Sequence, residues 1–286
     1  MTPEEYKKTM TFVERNRNAA EYGLWRWRVN LTWKKVLFWL SPLIAVLVIL
    51  AIFMLPTKRG TCGENIAYRV EGTTLRIEGT GEMADFYRDP PWWPWSRIIT
   101  RVEISEGVTE ITGTSFYRHT RLRTVSIPRS VTTIGHWAFQ YCARLEEISA
   151  PGVVEVGFGA FQDCTSLRSV ELCAEGEDGF TGVYDEALSG CAALESVTMR
   201  PHAAFGARCF LNCTLLEGLE DVTPVWIGDT AFCGCSSLSG LRLEDAEECY
   251  LGEGIFVNCV SLTRAALPSD AVKVPDCSTA ARRSWT

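Results

Sequence analysis

Histidine is scarce in this chain of 286 residues: only His119, His136 and His202 occur, well apart in sequence. The usual imidazole-rich zinc site is therefore excluded. Cys233-Gly234-Cys235 is half of a metal motif, but it lacks a second Cys/His pair at zinc spacing. No G-x-S-x-G nucleophile elbow and no Gly-rich phosphate loop are present. Neither a catalytic residue nor a cofactor is expected. Basic residues are also in the minority, 28 Lys and Arg against 35 Asp and Glu, a net charge of −7. The deficit is uneven. Residues 1–56 carry 8 basic and 4 acidic side chains, so residues 57–286 are left with 20 and 31, a net −11. A surface so acidic excludes nucleic acid as a partner, because phosphate recognition needs clustered positive charge.

What is abundant is repetition. An apolar anchor falls at Phe116, Phe139, Phe161, Leu188, Phe210, Phe232 and Phe256, at spacings of 23, 22, 27, 22, 22 and 24 residues. Three residues later comes His119, Cys142, Cys164, Cys191, Cys213, Cys235 or Cys259. Six residues later comes Leu122, Leu145, Leu167, Leu194, Leu216, Leu238 or Leu262. A fixed period near 22 residues indicates a solenoid in the leucine-rich-repeat range. Each unit ends in a short alternating run, such as Val125-Ser126-Ile127-Pro128 or Val170-Glu171-Leu172. Period-two alternation predicts one short strand per turn, stacked into a parallel sheet. The anchors and the repeat cysteines are predicted to form the core. Leu188 in place of Phe, and Asp221 at a strand position, predict irregular pairing in repeats four and five. The 27-residue interval contains a Gly-rich acidic loop, residues 174–179, expected to bulge outward.

The unit Ala-Phe-x-x-Cys-x-x-Leu-x-x-Val-x-Ile-Pro resembles the BspA-like leucine-rich repeat of bacterial surface proteins. Thr61-Cys62-Gly63, Leu75-Arg76-Ile77-Glu78-Gly79-Thr80-Gly81-Glu82-Met83 and Pro91-Trp92 resemble the β-hairpin that caps such repeats. The resemblance covers roughly residues 61–268. It implies an α/β-type repeat solenoid of about seven repeats with an N-terminal β-hairpin cap. It also implies a surface or secreted location and a binding role, in some members adhesion. It transfers no catalytic residue, since its motif consists of core positions.

Residues 36–55 form an uncharged apolar run of 20 residues. As a helix rising 1.5 Å per residue, a run of that length spans about 30 Å of hydrocarbon. No small-x-small cleavage site follows it, which argues for an uncleaved anchor over a signal peptide. Lys34 and Lys35 abut the run, and eight basic residues precede it. The positive-inside bias predicts a single-pass protein with the N-terminus cytoplasmic and the repeats extracytoplasmic. The organisation expected is a basic N-terminal segment (1–35), a transmembrane helix (36–55), a linker and hairpin cap (56–107), the solenoid (108–274) and a tail (275–286). The partners expected are membrane lipid around the helix and a protein or glycan ligand outside the cell. An alternative is an envelope-assembly protein associating with partners of its own cell.

Of twelve cysteines, the six at the repeat position are expected to be buried reduced thiols, since free Cys packs as a small apolar residue. Any disulfide is expected among Cys62, Cys173, Cys209, Cys233, Cys249 and Cys277. Pro90-Pro91-Trp92-Trp93-Pro94-Trp95 is the densest aromatic patch. It reads either as a plug on the open end of the core or as a binding platform. The outward residues of the predicted strands are small or polar, and tight interfaces use aromatic or Arg anchors. Ligand contact is therefore expected at Trp92, Trp93, Trp95, His136, Trp137 and Tyr141 rather than on the strand face.

Overall fold

The structure is a computed structural model. It describes residues 58–86, 89–172, 180–219, 222–242, 249–262, 264–266 and 272–273. The apolar run 36–55, the basic segment 1–35, the loop 174–179, the tail 275–286, Cys173, Cys277, Glu220 and Asp221 lie outside the described residues. Among the described residues no helix is long and apolar enough to cross a membrane.

The described residues start with an antiparallel segment, β1 (Arg59–Thr61), β2 (Asn65–Glu71) and β3 (Thr74–Glu82), with β2 and β3 in continuous register from Asn65↔Thr80 to Glu71↔Thr74. The strands that follow come in pairs: β4 (Arg101–Ile104) and β5 (Val108–Ile111), β6 (Thr124–Ser126) and β7 (Thr133–Ile134), β8 (Glu147–Ala150) and β9 (Glu155–Val156). Next are β10 (Ser169–Leu172) and β11 (Phe180–Val183), then β12 (Ser196–Thr198) and β13 (His202–Phe205). β14 (Thr223–Ile227) stands alone, before β15 (Gly240–Arg242), β16 (Tyr250–Leu251), β17 (Arg264–Ala266) and β18 (Val272–Lys273).

This corrects the expectation of one strand per turn. All but one of the coils contribute described strands to two parallel stacks. β4, β6, β8, β10, β12, β15 and β17 belong to the first. β5, β7, β9, β11, β13, β14, β16 and β18 form the second, unbroken along its length. The second strand is hard to see in sequence where its runs shrink to two residues, as in Thr133-Ile134 and Glu155-Val156. β3 joins both stacks: Thr74–Ile77 pair with β4, and Gly81 and Glu82 pair with β5.

The α/β-type expectation is corrected as well. Among the described residues there is no α-helix, only a 3-10 helix over Trp93–Trp95, and the molecule is a β-solenoid. The reason lies around the anchors. The residues two before and two after each anchor have left-handed backbones, as in Thr114 (φ 58) and Arg118 (φ 56) around Phe116, or Trp137 (φ 55) and Tyr141 (φ 62) around Phe139. Such alternation cannot propagate a right-handed helix. It aims successive N–H groups at the next coil instead. Trp137, Phe139 and Tyr141 donate to the carbonyls of Phe158, Ala160 and Gln162 (2.7–2.9 Å), and Gly159, Phe161 and Asp163 donate to those of Asp185, Ala187 and Ser189 (2.7–3.0 Å). The turns are thus a third hydrogen-bonded face. Close approach demands glycine at the corner before them: a Cβ on Gly135 would lie 2.6 Å from the Gly113 nitrogen.

Phe116, Phe139, Phe161, Phe210 and Phe232 are fully buried and Phe256 nearly so. Trp92, Phe116, Phe139 and Phe161 stack with centroids 5.8, 5.0 and 5.3 Å apart. Leu188 interrupts the column, which resumes through Phe210, Phe232 and Phe256 at 5.0 and 6.0 Å. Each buried ring contributes about 1.5–3 kcal/mol by area and each stacked pair about 0.5–1.5 more. Beside this column runs a column of thiols. Cys142 Sγ donates to the Phe116 carbonyl (3.2 Å), Cys164 to Phe139 (3.1 Å), Cys191 to Phe161 (3.2 Å), Cys213 to Leu188 (3.2 Å), Cys235 to Phe210 (3.1 Å) and Cys259 to Phe232 (3.1 Å). Cys142, Cys164, Cys191, Cys213 and Cys235 are fully buried and Cys259 partly so. Burial pushes the thiols up, Cys191 and Cys235 to about 12, so each keeps the proton that it donates. All ten described cysteines are free.

Among the described residues the first stack is broken between β6 and β8 and again between β12 and β15, so its strands fall into three groups. Repeat four is regular on this face despite Leu188: β12 pairs with β10 from Ser169↔Ser196 to Glu171↔Thr198.

Candidate functional site

Trp92 and Trp95 are corrected as ligand candidates, because both are buried. Trp92 closes the N-terminal end of the ring column. It stacks on Phe116, meets Tyr68 and Phe86 edge-on (5.4 and 5.3 Å), and donates its Nε1–H to the Ser115 carbonyl (2.9 Å). Trp93, one residue on, is half-buried and keeps an edge in solvent. It packs against His119 at 5.8 Å.

His119 takes the place of the repeat cysteine in the coil of Phe116. It is fully buried, and its Nδ1–H donates to the Tyr117 carbonyl (3.2 Å). Its Nε2 has no hydrogen-bond partner. Desolvation pulls its pKa down to about 4, against smaller opposing contributions from the Tyr117 and Phe116 backbone.

His136, Trp137 and Tyr141 are exposed on the turn face. The left-handed backbone at Trp137 and Tyr141 turns their side chains out of the core. Trp137 meets Phe158 edge-on at 5.3 Å and His136 at 6.1 Å. Tyr141 meets Tyr117 at 5.9 Å, and the Arg118 guanidinium lies over both tyrosine rings, at 5.1 and 5.3 Å. A cavity of about 420 Å3 opens here, lined by Asp89, Trp93, Tyr117, Arg118, Trp137 and Gln140. His136 is tied to the fold: its Nδ1 accepts the Phe158 N–H (2.8 Å). Asp185 and Asp229, two coils apart, do the same, each accepting from the next coil, at Ala207 (2.8 Å) and Glu253 (2.7 Å). Comparing residues at that repeat position would have shown that His136 stands where other coils use a coil-stapling carboxylate.

The sequence reading missed the aromatic side chains of the second stack. Phe180 and Gly182 lie on the outward side of β11 and Tyr184 follows directly after it, with both rings about half exposed (49% and 50%). Gly182 pairs with Ala204, and Ala204 with Trp226. Pro224 cannot donate to the ladder, and a bulge between Ala203 and Ala204 leaves Val225 and Trp226 both outward. Trp226 stacks on Tyr250 at 4.0 Å. His136 lies 6.5 Å from Tyr184, ring to ring. The turn-face cluster therefore continues onto the second stack. The signal available in sequence was alternation in Phe180–Val183 and Thr223–Ile227, each ending in an inward Val or Ile.

The BspA type leucine rich repeat region matches this chain in six copies, over residues 95–217 and 221–280. The chain belongs to the BspA-type leucine-rich repeat family. Proteins of this family are typically surface-associated and act in protein interaction, generally without catalysis. Leucine-rich repeat structures are among the solved structures similar to this chain, one of them at a TM-score that supports the fold. A leucine-rich repeat protein of T. pallidum is 23% identical, with 71% of this chain and 90% of that chain covered and a TM-score of 0.50. A leucine-rich repeat protein of Bacteroides ovatus is 21% identical (72% and 70% covered, TM-score 0.41). The pneumococcal vaccine antigen PcpA is 14% identical (73% and 70% covered, TM-score 0.39). No curated protein matches.

Proposed function

We propose that this protein is a membrane-anchored, cell-surface repeat protein that binds a macromolecule through its turn face and the adjoining second stack. The observation that carries the reading is the placement of exposed aromatics. Trp137, Tyr141, Phe180, Tyr184, Trp226 and Tyr250 all lie there. Thr124, Ser126, Glu147, Ser149, Ser196 and Thr198 make the outer side of the first stack polar and small. Large rings with few rotatable bonds are the side chains that anchor interfaces. The apolar run 36–55 supplies the anchor, with the hairpin as the cap of the solenoid. The charge bias puts the N-terminus in the cytoplasm.

Two measurements test this. Added protease should remove the repeats from whole cells while residues 1–33 stay protected; protected repeats reverse the topology. The full chain, purified in detergent, should capture a partner from host-matrix fractions. Capture from the bacterium's own envelope fractions instead assigns it to envelope assembly.

A further inference from the structure

The cavity on the turn face contains two opposite charges that do not neutralise each other. Arg118 and Asp89 both line it, and among the described residues neither has an ion-pair partner. Arg118 is preorganised. Its backbone is left-handed (φ 56), its N–H donates to the Gln140 carbonyl (2.8 Å), and its guanidinium rests over the Tyr117 and Tyr141 rings. A guanidinium placed over aromatic rings, with no carboxylate partner among the described residues, has donors left for a planar, bidentate acceptor. Asp89, exposed at the rim, accepts from paired donors such as vicinal hydroxyls. Trp93 and Trp137 line the same cavity. The size of about 420 Å3 falls within the usual range for small-ligand sites.

We propose that this cavity binds a hexuronate residue of an acidic polysaccharide. The sugar carboxylate meets Arg118, its neighbouring hydroxyls meet Asp89, and its C–H face lies on Trp137. The inference rests on the reading of the turn face as the ligand surface. An acidic peptide fits less well: it brings a carboxylate for Arg118 but no hydroxyl pair for Asp89, and Asp89 repels a second acid. A polysulfate fits less well too, since its denser charge needs several cationic groups and Arg118 is the one guanidinium among the described residues of the cavity lining.

The test is calorimetry on the full chain in detergent. The probes are gluco-, galacto- and manno-configured hexuronate tetrasaccharides, their methyl esters, and a tetraglutamate peptide. One hexuronate should bind, and its neutral ester about tenfold or more weaker, the scale for a lost charge-assisted bidentate contact. Arg118→Gln should erase the difference between acid and ester, and Asp89→Asn should weaken both equally. The ester comparison is made on the parent chain, so it stands even if a variant misfolds. Binding of no hexuronate, ester binding as tight as acid, or tetraglutamate binding as tight as the sugar each overturns the proposal. If hexuronates fail while Trp137→Ala still abolishes partner capture, only the sugar assignment falls. If a hexuronate binds while partner capture ignores Trp137, the turn face fails as the macromolecular surface.

Discussion

The first and second stacks belong to the same coils, yet their outward residues differ in kind. Both place apolar residues inward, Ile148, Val170 and Val197 in one, Val156, Val183 and Phe205 in the other. Outward, the first stack shows Glu147, Ser149, Glu171 and Thr198 on short strands in register. The second shows Phe180, Tyr184, Trp226 and Tyr250, with a bulge at Ala203/Ala204. Inward positions are constrained by the coil above and the coil below. Outward positions are free of that demand, so apolar surface left there against its hydration cost points to a partner.

The most severe way to break the comparison is to remove both faces together. Cys164→Asp buries a carboxylate without a partner in the shared core, a cost on the order of the whole 5–15 kcal/mol that stabilises a domain. No cooperative melting transition should remain. Cys164→Ala should fold with a loss of about 1–2 kcal/mol, for a small cavity and one thiol hydrogen bond. An Asp variant that melts like the parent means Cys164 is not in the core.

Acid should separate the two ends of the molecule. His119 titrates near 4 when folded and near 6.5 when unfolded. The unfolded state thus binds more protons between these values. Stability is full above about pH 6.5 and declines by about 3 kcal/mol as pH falls to about 4. Urea midpoints at pH 7 and 4.5 should differ more for the parent than for His119→Leu. Equal differences would mean the imidazole is not the group responsible.

Binding separates the two faces directly. Trp93→Ala with Trp137→Ala should weaken an identified ligand more than tenfold, about 1.4 kcal/mol, without lowering Tm. Glu147→Ala with Glu171→Ala should change affinity less than about twofold. The reverse ranking moves the site to the first stack. The smallest effect is expected for Ser149→Ala. It deletes an exposed bond to Glu171 (2.9 Å) and should cost less than about 0.5 kcal/mol in chemical denaturation.

The coil was legible in sequence because its core positions repeat: Phe, Cys and Leu at fixed offsets announce a stack. The turn conformation was not, since the left-handed positions are held by Thr114, Trp137, Asp163, Glu186 and Arg208 as well as by glycine. No one residue type marks them. The ligand candidates were half legible. Trp137 and Tyr141 are exposed, whereas Trp92, next to the half-buried Trp93, is the plug of the ring column. Composition cannot distinguish a tryptophan that closes a core from one that faces solvent; the Nε1 bond to Ser115 does.

The turn ladder gives the molecule a head and a tail. Each anchor segment hands its N–H groups forward and receives them on its carbonyls from behind, without reversal from Phe116 to Phe256. It is built like a polar filament rather than a symmetric rod. A coil duplicated in frame meets acceptors ahead and donors behind wherever it lands, so length can change by whole units at little cost. The ends have no such freedom. The Ser115 carbonyl of the first coil is met by an indole N–H from outside the repeat, and a terminus built for N–H groups could not replace it. Lineages of such proteins are therefore expected to vary in coil number while keeping distinct, non-interchangeable end pieces.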